Sequence, residues 1–135
     1  MILLDTDVLI DLALDRQPHA SAAARLIDSI EQGDQRACIA WHTISNFYYI
    51  VAPSRGRENV KKFIVELTRF VDVASADAHA VRFAASLAMA DFEDALQVAA
   101  ARAVGARRVV TRNTKDYARS PIPAVLPEDA INNIA

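Results

Sequence analysis

The run Met1-Ile2-Leu3-Leu4-Asp5-Thr6-Asp7-Val8-Leu9-Ile10-Asp11 constrains this chain more than any other stretch. Ile2, Leu3 and Leu4 make a short strand that is apolar on both faces. Such a strand needs cover from both sides, which a parallel sheet between helices provides. Asp5 stands at the strand's C-terminal end, the edge of an open α/β sheet where ligands bind. Thr6 and Asp7 turn the chain before Val8, Leu9, Ile10 and Leu12 resume the apolar run. Asp5 has two readings here. It caps the next helix, or it belongs to a group of acids gathered at the strand ends.

The remaining segments alternate between helix and strand. His19 to Ile30 carries Ala23, Leu26, Ile27 and Ile30 on one face and reads as a helix that Gly33 and Asp34 break. Arg36 to Ala40 reads as a strand. Trp41 to Ala52 has strand-favouring residues (Phe47, Tyr48, Tyr49, Ile50, Val51). Its length and the Pro53-Ser54-Arg55-Gly56 stop favour a helix starting near His42. Glu58 to Phe70 is a helix and Val71 to Ala74 a short strand. Asp77 opens one helix, and Asp91 opens another from Phe92 through Val104, ended by Gly105. Arg108 to Thr111 is a strand, Asn113 to Arg119 a polar loop, and Ile122 to Leu126 a weak edge strand before a helical turn at Pro127. The expected architecture is α/β: a central parallel sheet flanked by helices, in one domain spanning 1–135.

Composition narrows the function. Hydrophobic residues make up 53% of the 135, enough for a packed core. A net charge of −2 gives no bulk attraction to nucleic acid, so any such binding needs a local basic patch. The one cysteine, Cys38, lies in an apolar run and reads as core, which suits a reducing compartment. The N-terminus lacks a secretory signal pattern, and no apolar run approaches the ~20 residues of a membrane span. The expected location is cytoplasmic, with no membrane partner.

Three segments deliver acids to strand ends or helix starts: Asp5, the pair Asp91 and Asp94, and Asp116 beside Asn113. If the first and the Arg108–Thr111 strands are neighbours, Asp5 and the Asn113–Asp116 loop meet at one edge. Small residues (Ala95, Ala99, Ala100, Ala103) let the Asp94 helix lie close to the sheet. Clustered carboxylates repel one another and need a cation. Oxygen ligands suit Mg²⁺ or Mn²⁺ rather than zinc. The alternatives are a helix cap at Asp91 with an acid three residues on, and a solvated Asp116.

These segments together resemble the PIN-domain family, of the kind found as VapC-type ribonuclease toxins. The match lies in Leu3-Leu4-Asp5-Thr6-Asp7-Val8-Leu9-Ile10-Asp11, in Asp91-Phe92-Glu93-Asp94-Ala95-Leu96-Gln97, in Val109-Val110-Thr111-Arg112-Asn113-Thr114-Lys115-Asp116-Tyr117, and in the closing Ile122-to-Glu128 segment. The resemblance implies cleavage of single-stranded RNA by water activated at divalent metal ions. It also implies Asp5, Asp94 and Asp116 as the acids of the site, with Asp91 as an accessory ligand or cap. Thr111 or Asn113 would position a ligand or the attacking water. The family usually has a glutamate in the helix after the second strand; here Asn46 holds that place, uncharged but still able to ligate Mg²⁺. His42 lies one turn earlier and reads as a helix start. Arg112, Lys115 and Arg119 flank the acidic loop as candidate phosphate contacts, and Arg55, Arg57, Lys61 and Lys62 form a second basic group. An antitoxin and a second copy of the chain are the implied protein partners. The competing reading is a PIN-like RNA- or protein-binding module whose site was lost at Asn46. A phosphatase or nucleotide-binding domain is disfavoured, because none of the three glycines follows the first strand.

Overall fold

The computed structural model describes residues 1–132; the last three residues of the expected 1–135 domain lie outside the described residues. Five parallel strands form one sheet: β1 (Ile2–Leu4), β2 (Ala37–Ala40), β3 (Asp72–Ala74), β4 (Arg108–Val110) and β5 (Ala124–Val125), in the order β3-β2-β1-β4-β5. The α/β architecture expected from the sequence is the one observed. β1 is central and buried on both faces. Ile2 and Leu4 join one core with Val8, Leu26, Ile39 and Phe47, while Leu3 joins the other with Cys38, Val98 and Val109. Cys38 is fully buried, and burial pushes its thiol up to about 12, which fits a core residue and not a nucleophile.

Among the described residues seven α-helices cover the sheet: α1 (Thr6–Ala13), α2 (His19–Glu31), α3 (Trp41–Arg55), α4 (Arg57–Leu67), α5 (Ala78–Ser86), α6 (Phe92–Ala103) and α7 (Pro127–Asn132). α6 lies against β1, β2, β3 and β4. Buried Ala95, Ala99 and Ala100 allow the close approach, with Ala101 in place of the exposed Ala103. Several boundaries differ from the sequence reading; α4 ends at Leu67 and not at Phe70, and β5 covers only Ala124–Val125 of the expected Ile122-to-Leu126 strand. α1 begins at Thr6, so Thr6 and Asp7 are its first turn rather than a bend before it. α3 runs through Pro53 to Arg55 and ends at Gly56, whose φ of 89° is the left-handed conformation that stops a helix. Of the aromatic residues on α3, Phe47 stacks on Phe63 of α4 at 5.1 Å in the core, whereas Tyr49 is exposed.

Because the sheet is parallel, every strand ends at one edge. The chain leaves β1 toward β2 on one side and reaches β4 on the other, so the strand order reverses between β1 and β4. Ligand crevices open at such a point. Asp5 follows β1 there and Thr111 follows β4. The N-termini of α1, α3 and α6 arrive at the same edge.

Candidate metal centre

Asp5 is pinned by its backbone, whose N–H donates to the Val110 carbonyl at 2.9 Å. Its side chain serves both roles considered above. Oδ1 accepts from the Thr6 backbone N–H at 2.7 Å and caps α1. Oδ2 accepts from the Thr111 hydroxyl at 2.9 Å and the Tyr117 hydroxyl at 3.0 Å. The same Tyr117 oxygen lies 3.3 Å from Asp94 Oδ1, so one phenol proton is shared between two acids. Oxygens of Asp5, Glu93 and Asp94 lie within 4.8 Å of one another.

The environment sets unequal charges. Burial lifts the Asp5 carboxyl to about 7, helped by the negative charges of Asp7 and Glu93. Burial, then Asp91 and Glu93, lifts Asp94 to about 6. Asp7 is raised too, first by burial. Glu93 moves the other way: His42, with Nε2 at 3.3 Å, holds it below the usual range, aided by Gln97 and Asn46. Burial and the Asp5 and Asp94 charges keep the Tyr117 phenol protonated well beyond its ordinary range. Several carboxylates so close ionise together only beside a cation. The donors here are oxygens, and the His42 ring nitrogen nearest the group already faces Glu93. This set fits a hard ion such as Mg²⁺ or Mn²⁺ and not zinc.

Beneath the acids lies a buried polar layer. Gln97 is fully buried, with Nε2 at 3.1 Å from Thr43 Oγ1, 3.2 Å from Thr6 Oγ1, 3.3 Å from Glu93 and 3.4 Å from Asp5. Thr6 and Thr43 join hydroxyls at 2.9 Å. This layer ties the first turns of α1, α3 and α6 together and fixes how their acids face one another.

The residues singled out in the sequence take several places. Asp5 and Asp94 come together. Asn46 reaches the group through its amide nitrogen, 3.4 Å from Glu93 Oε1. Asp91 caps α6, its Oδ1 accepting from the Asp94 N–H at 3.0 Å. Asp116 is exposed on a short 3₁₀ turn (Thr114–Tyr117), outside the group of three. It lines an open cleft of about 360 Å³ with Asp91, Asp94, Lys115 and Arg119, and its charge contributes to the rise at Asp94. Thr111 also lies 3.1 Å from Asp7, and the Asn113 amide donates to Asp7 at 3.0 Å. Arg112 forks onto Asp11 at 2.8 and 3.2 Å, so its guanidinium is engaged inside the protein. In the second basic group, Arg55 donates to the Ala13 carbonyl and Lys61 pairs with Glu58. Sequence reasoning missed Asp7, Glu93, Gln97 and Tyr117. One signal was present: Glu93 and Gln97 are four apart, on one helical face, in an otherwise alanine-rich helix.

A family model described as PIN domain matches residues 1–115. The chain belongs to the PIN-domain family. The fold is shared with solved structures of low identity. One is VapBC2 from Rickettsia felis bound to a promoter DNA fragment, at 17% identity and TM-score 0.71, covering 93% of this chain and 98% of that one. Another is a toxin–antitoxin complex from Klebsiella pneumoniae, at 21% and 0.70, covering 94% and 98%. A third is the sarcin–ricin-loop-cleaving toxin VapC20 from Mycobacterium tuberculosis, at 14% and 0.64, covering 100% and 97%. No curated protein sequence matches the chain. Among the described residues no helix is long and apolar enough to cross a membrane.

Proposed function

We propose that this protein is a divalent-metal-dependent endoribonuclease acting on single-stranded RNA, and the toxin of a toxin–antitoxin pair. The observation that carries the reading is the convergence of Asp5, Glu93 and Asp94 at the strand-order reversal of a PIN fold. Bound Mg²⁺ or Mn²⁺ would supply positive charge to activate water and to stabilise the leaving oxygen of a phosphodiester. Asp5 and Asp94 would hold the ion, with Asp116 lining the cleft beside Asp94. Tyr117 and Thr111 orient Asp5 through its Oδ2, and Asn113 and Thr111 fix Asp7 below the loop. In-line attack of that water on phosphorus, with the P–O3′ bond breaking and the 3′ oxygen leaving as a hydroxyl, would give 5′-phosphate and 3′-hydroxyl ends. The similar Klebsiella structure is a toxin–antitoxin complex, and an antitoxin and a second copy of this chain are the partners we propose here. Exposed Tyr49 and Ile50 on α3 and Val65 on α4 offer apolar surface for such contacts.

The test is cleavage of single-stranded RNA by purified protein. Activity is expected with Mn²⁺, none after chelation, and none from Asp94→Asn. A wild-type protein that binds RNA but never cuts it would support the alternative, a binding module, which the neutral Asn46 favours.

Two cations serve the substrate. Lys115 and Arg119 flank the acidic cleft on the lip that carries Asp116. Replacing both with alanine is expected to weaken RNA binding by roughly tenfold at moderate salt and to shallow its salt dependence. The melting temperature should stay within about 2 °C of wild type, because exposed charges contribute little to stability. A filter-binding titration at three salt concentrations, beside a thermal melt, measures both.

A further inference from the structure

We propose that Glu93, carried on α6, supplies the metal centre with the negative charge that position 46 on α3 lacks. The inference rests on the metal-dependent reading above and assigns one of its ligands. Asn46 and Glu93 meet, with the amide nitrogen 3.4 Å from Oε1. The charge absent from one wall of the cleft is therefore present on the facing side chain.

Geometry favours a ligand over a solvated acid. Consecutive helical residues diverge by about 100°, so Glu93 and Asp94 would ordinarily face apart. Glu93 nonetheless brings an oxygen within 4.8 Å of oxygens from both Asp5 and Asp94. Two oxygens bonded to one Mg²⁺ at ~2.1 Å lie roughly 3 to 4.2 Å apart, a spacing these side chains reach by small rotations. Two amide donors turn Glu93 inward, Gln97 Nε2 at 3.3 Å and Asn46 Nδ2 at 3.4 Å, and His42 Nε2 lies 3.3 Å away without the geometry of a hydrogen bond. A first-turn acid that merely complements the helix dipole needs no such set.

Gln97 provides a second, independent observation. Its side chain is fully buried, and its Oε1 has no hydrogen-bond partner among the described residues. An unpartnered buried amide oxygen costs about 1–3 kcal/mol in an ordinary core. Its amide nitrogen, however, lies within 3.4 Å of both Asp5 and Glu93. The amide is thus lodged where it holds these two carboxylates to one another's side. The same nitrogen also lies 3.1 Å from the Thr43 hydroxyl and 3.2 Å from the Thr6 hydroxyl, so its two protons serve the whole polar layer that braces these carboxylates.

Calorimetric titration with Mn²⁺ alone, without RNA, tests the assignment, with a thermal melt of each variant to confirm folding. Glu93→Gln keeps the shape and removes the charge, and is expected to weaken Mn²⁺ binding by about tenfold or more. Adding Asn46→Glu to Glu93→Gln returns the acid to the other wall and is expected to restore affinity to within about threefold of wild type. Wild-type affinity in Glu93→Gln, beside a clear loss in Asp94→Asn, would overturn the role of Glu93 and leave the metal centre standing. A double variant no tighter than Glu93→Gln would overturn the exchange of charge between the two helices. Wild-type affinity in Asp5→Asn and Asp94→Asn as well would remove the metal centre itself.

Discussion

Asp5→Asn is expected to stabilise the metal-free protein while abolishing its activity. Asp5 is buried beside Asp7 and Glu93, and its carboxyl titrates at about 7 in the folded chain against an ordinary value of 3.8. Asp94 titrates at about 6. Between pH 5 and 8 the unfolded chain has already lost both protons while the folded chain still gives them up. The unfolded state binds fewer protons in that window, so stability falls as pH rises. Glu93, depressed below 4.5, contributes with the opposite sign only at lower pH. Asparagine removes the charge at position 5 and caps a helix as well as aspartate does. At pH 8 the variant should melt about 5 °C above the metal-free wild type, with a flatter dependence on pH.

In the proposed metal centre the same substitution removes an anionic ligand, so RNA cleavage should fall by at least about a hundredfold. Mn²⁺ should raise the melting temperature of the wild type more at pH 8 than at pH 5.5, because protons compete for its ligands. It should do little for the variant at either pH. Melting curves at four pH values, with and without Mn²⁺, measure all of this. A variant that melts below wild type at pH 8 would show that the Asp5 hydrogen bonds outweigh the cost of its charge.

The sheet and its edge were legible because burial on both faces of β1 is written into Ile2, Leu3 and Leu4 without reference to anything distant. Asp5 and Asp94 were legible for a related reason: a strand end and a helix start fix where short side chains go. Longer side chains escape that logic. Glu93 went unmarked in the sequence because its neighbours, His42 and Asn46, come from another helix and its reach depends on them. Asp7 looked like part of a turn, yet it accepts from Thr111, the Arg112 backbone and Asn113, all more than a hundred residues away. Arg112 shows the same limit from the other side. Its place among Lys115 and Arg119 suggested a phosphate contact, but no local pattern announces an acid on α1 as its partner.

Arg112→Ala is expected to act on stability before it acts on RNA. Asp11 is all but sealed from water, with a side chain 2% exposed, and Arg112 covers it at 30%. The fork of Nε and Nη2 onto the two carboxylate oxygens joins the last turns of α1 to the strand end that carries Thr111. This pair also lifts the guanidinium further above its already high range, first through the Asp11 hydrogen bond. Removing one member of a buried pair strands the other as an uncompensated charge, which costs roughly 3 kcal/mol. For a chain of this size the melting temperature should drop by about 10 °C. Neutralising the stranded acid with Asp11→Asn in the same protein should recover part of that loss, because the penalty lies in the buried charge more than in the missing contact. A phosphate-binding arginine behaves differently: its loss would weaken RNA binding and leave the melt unmoved, as expected for Lys115 and Arg119. The comparison of Arg112→Ala with the Lys115 and Arg119 pair therefore separates the arginine that braces the loop under the acids from the cations proposed to meet the substrate.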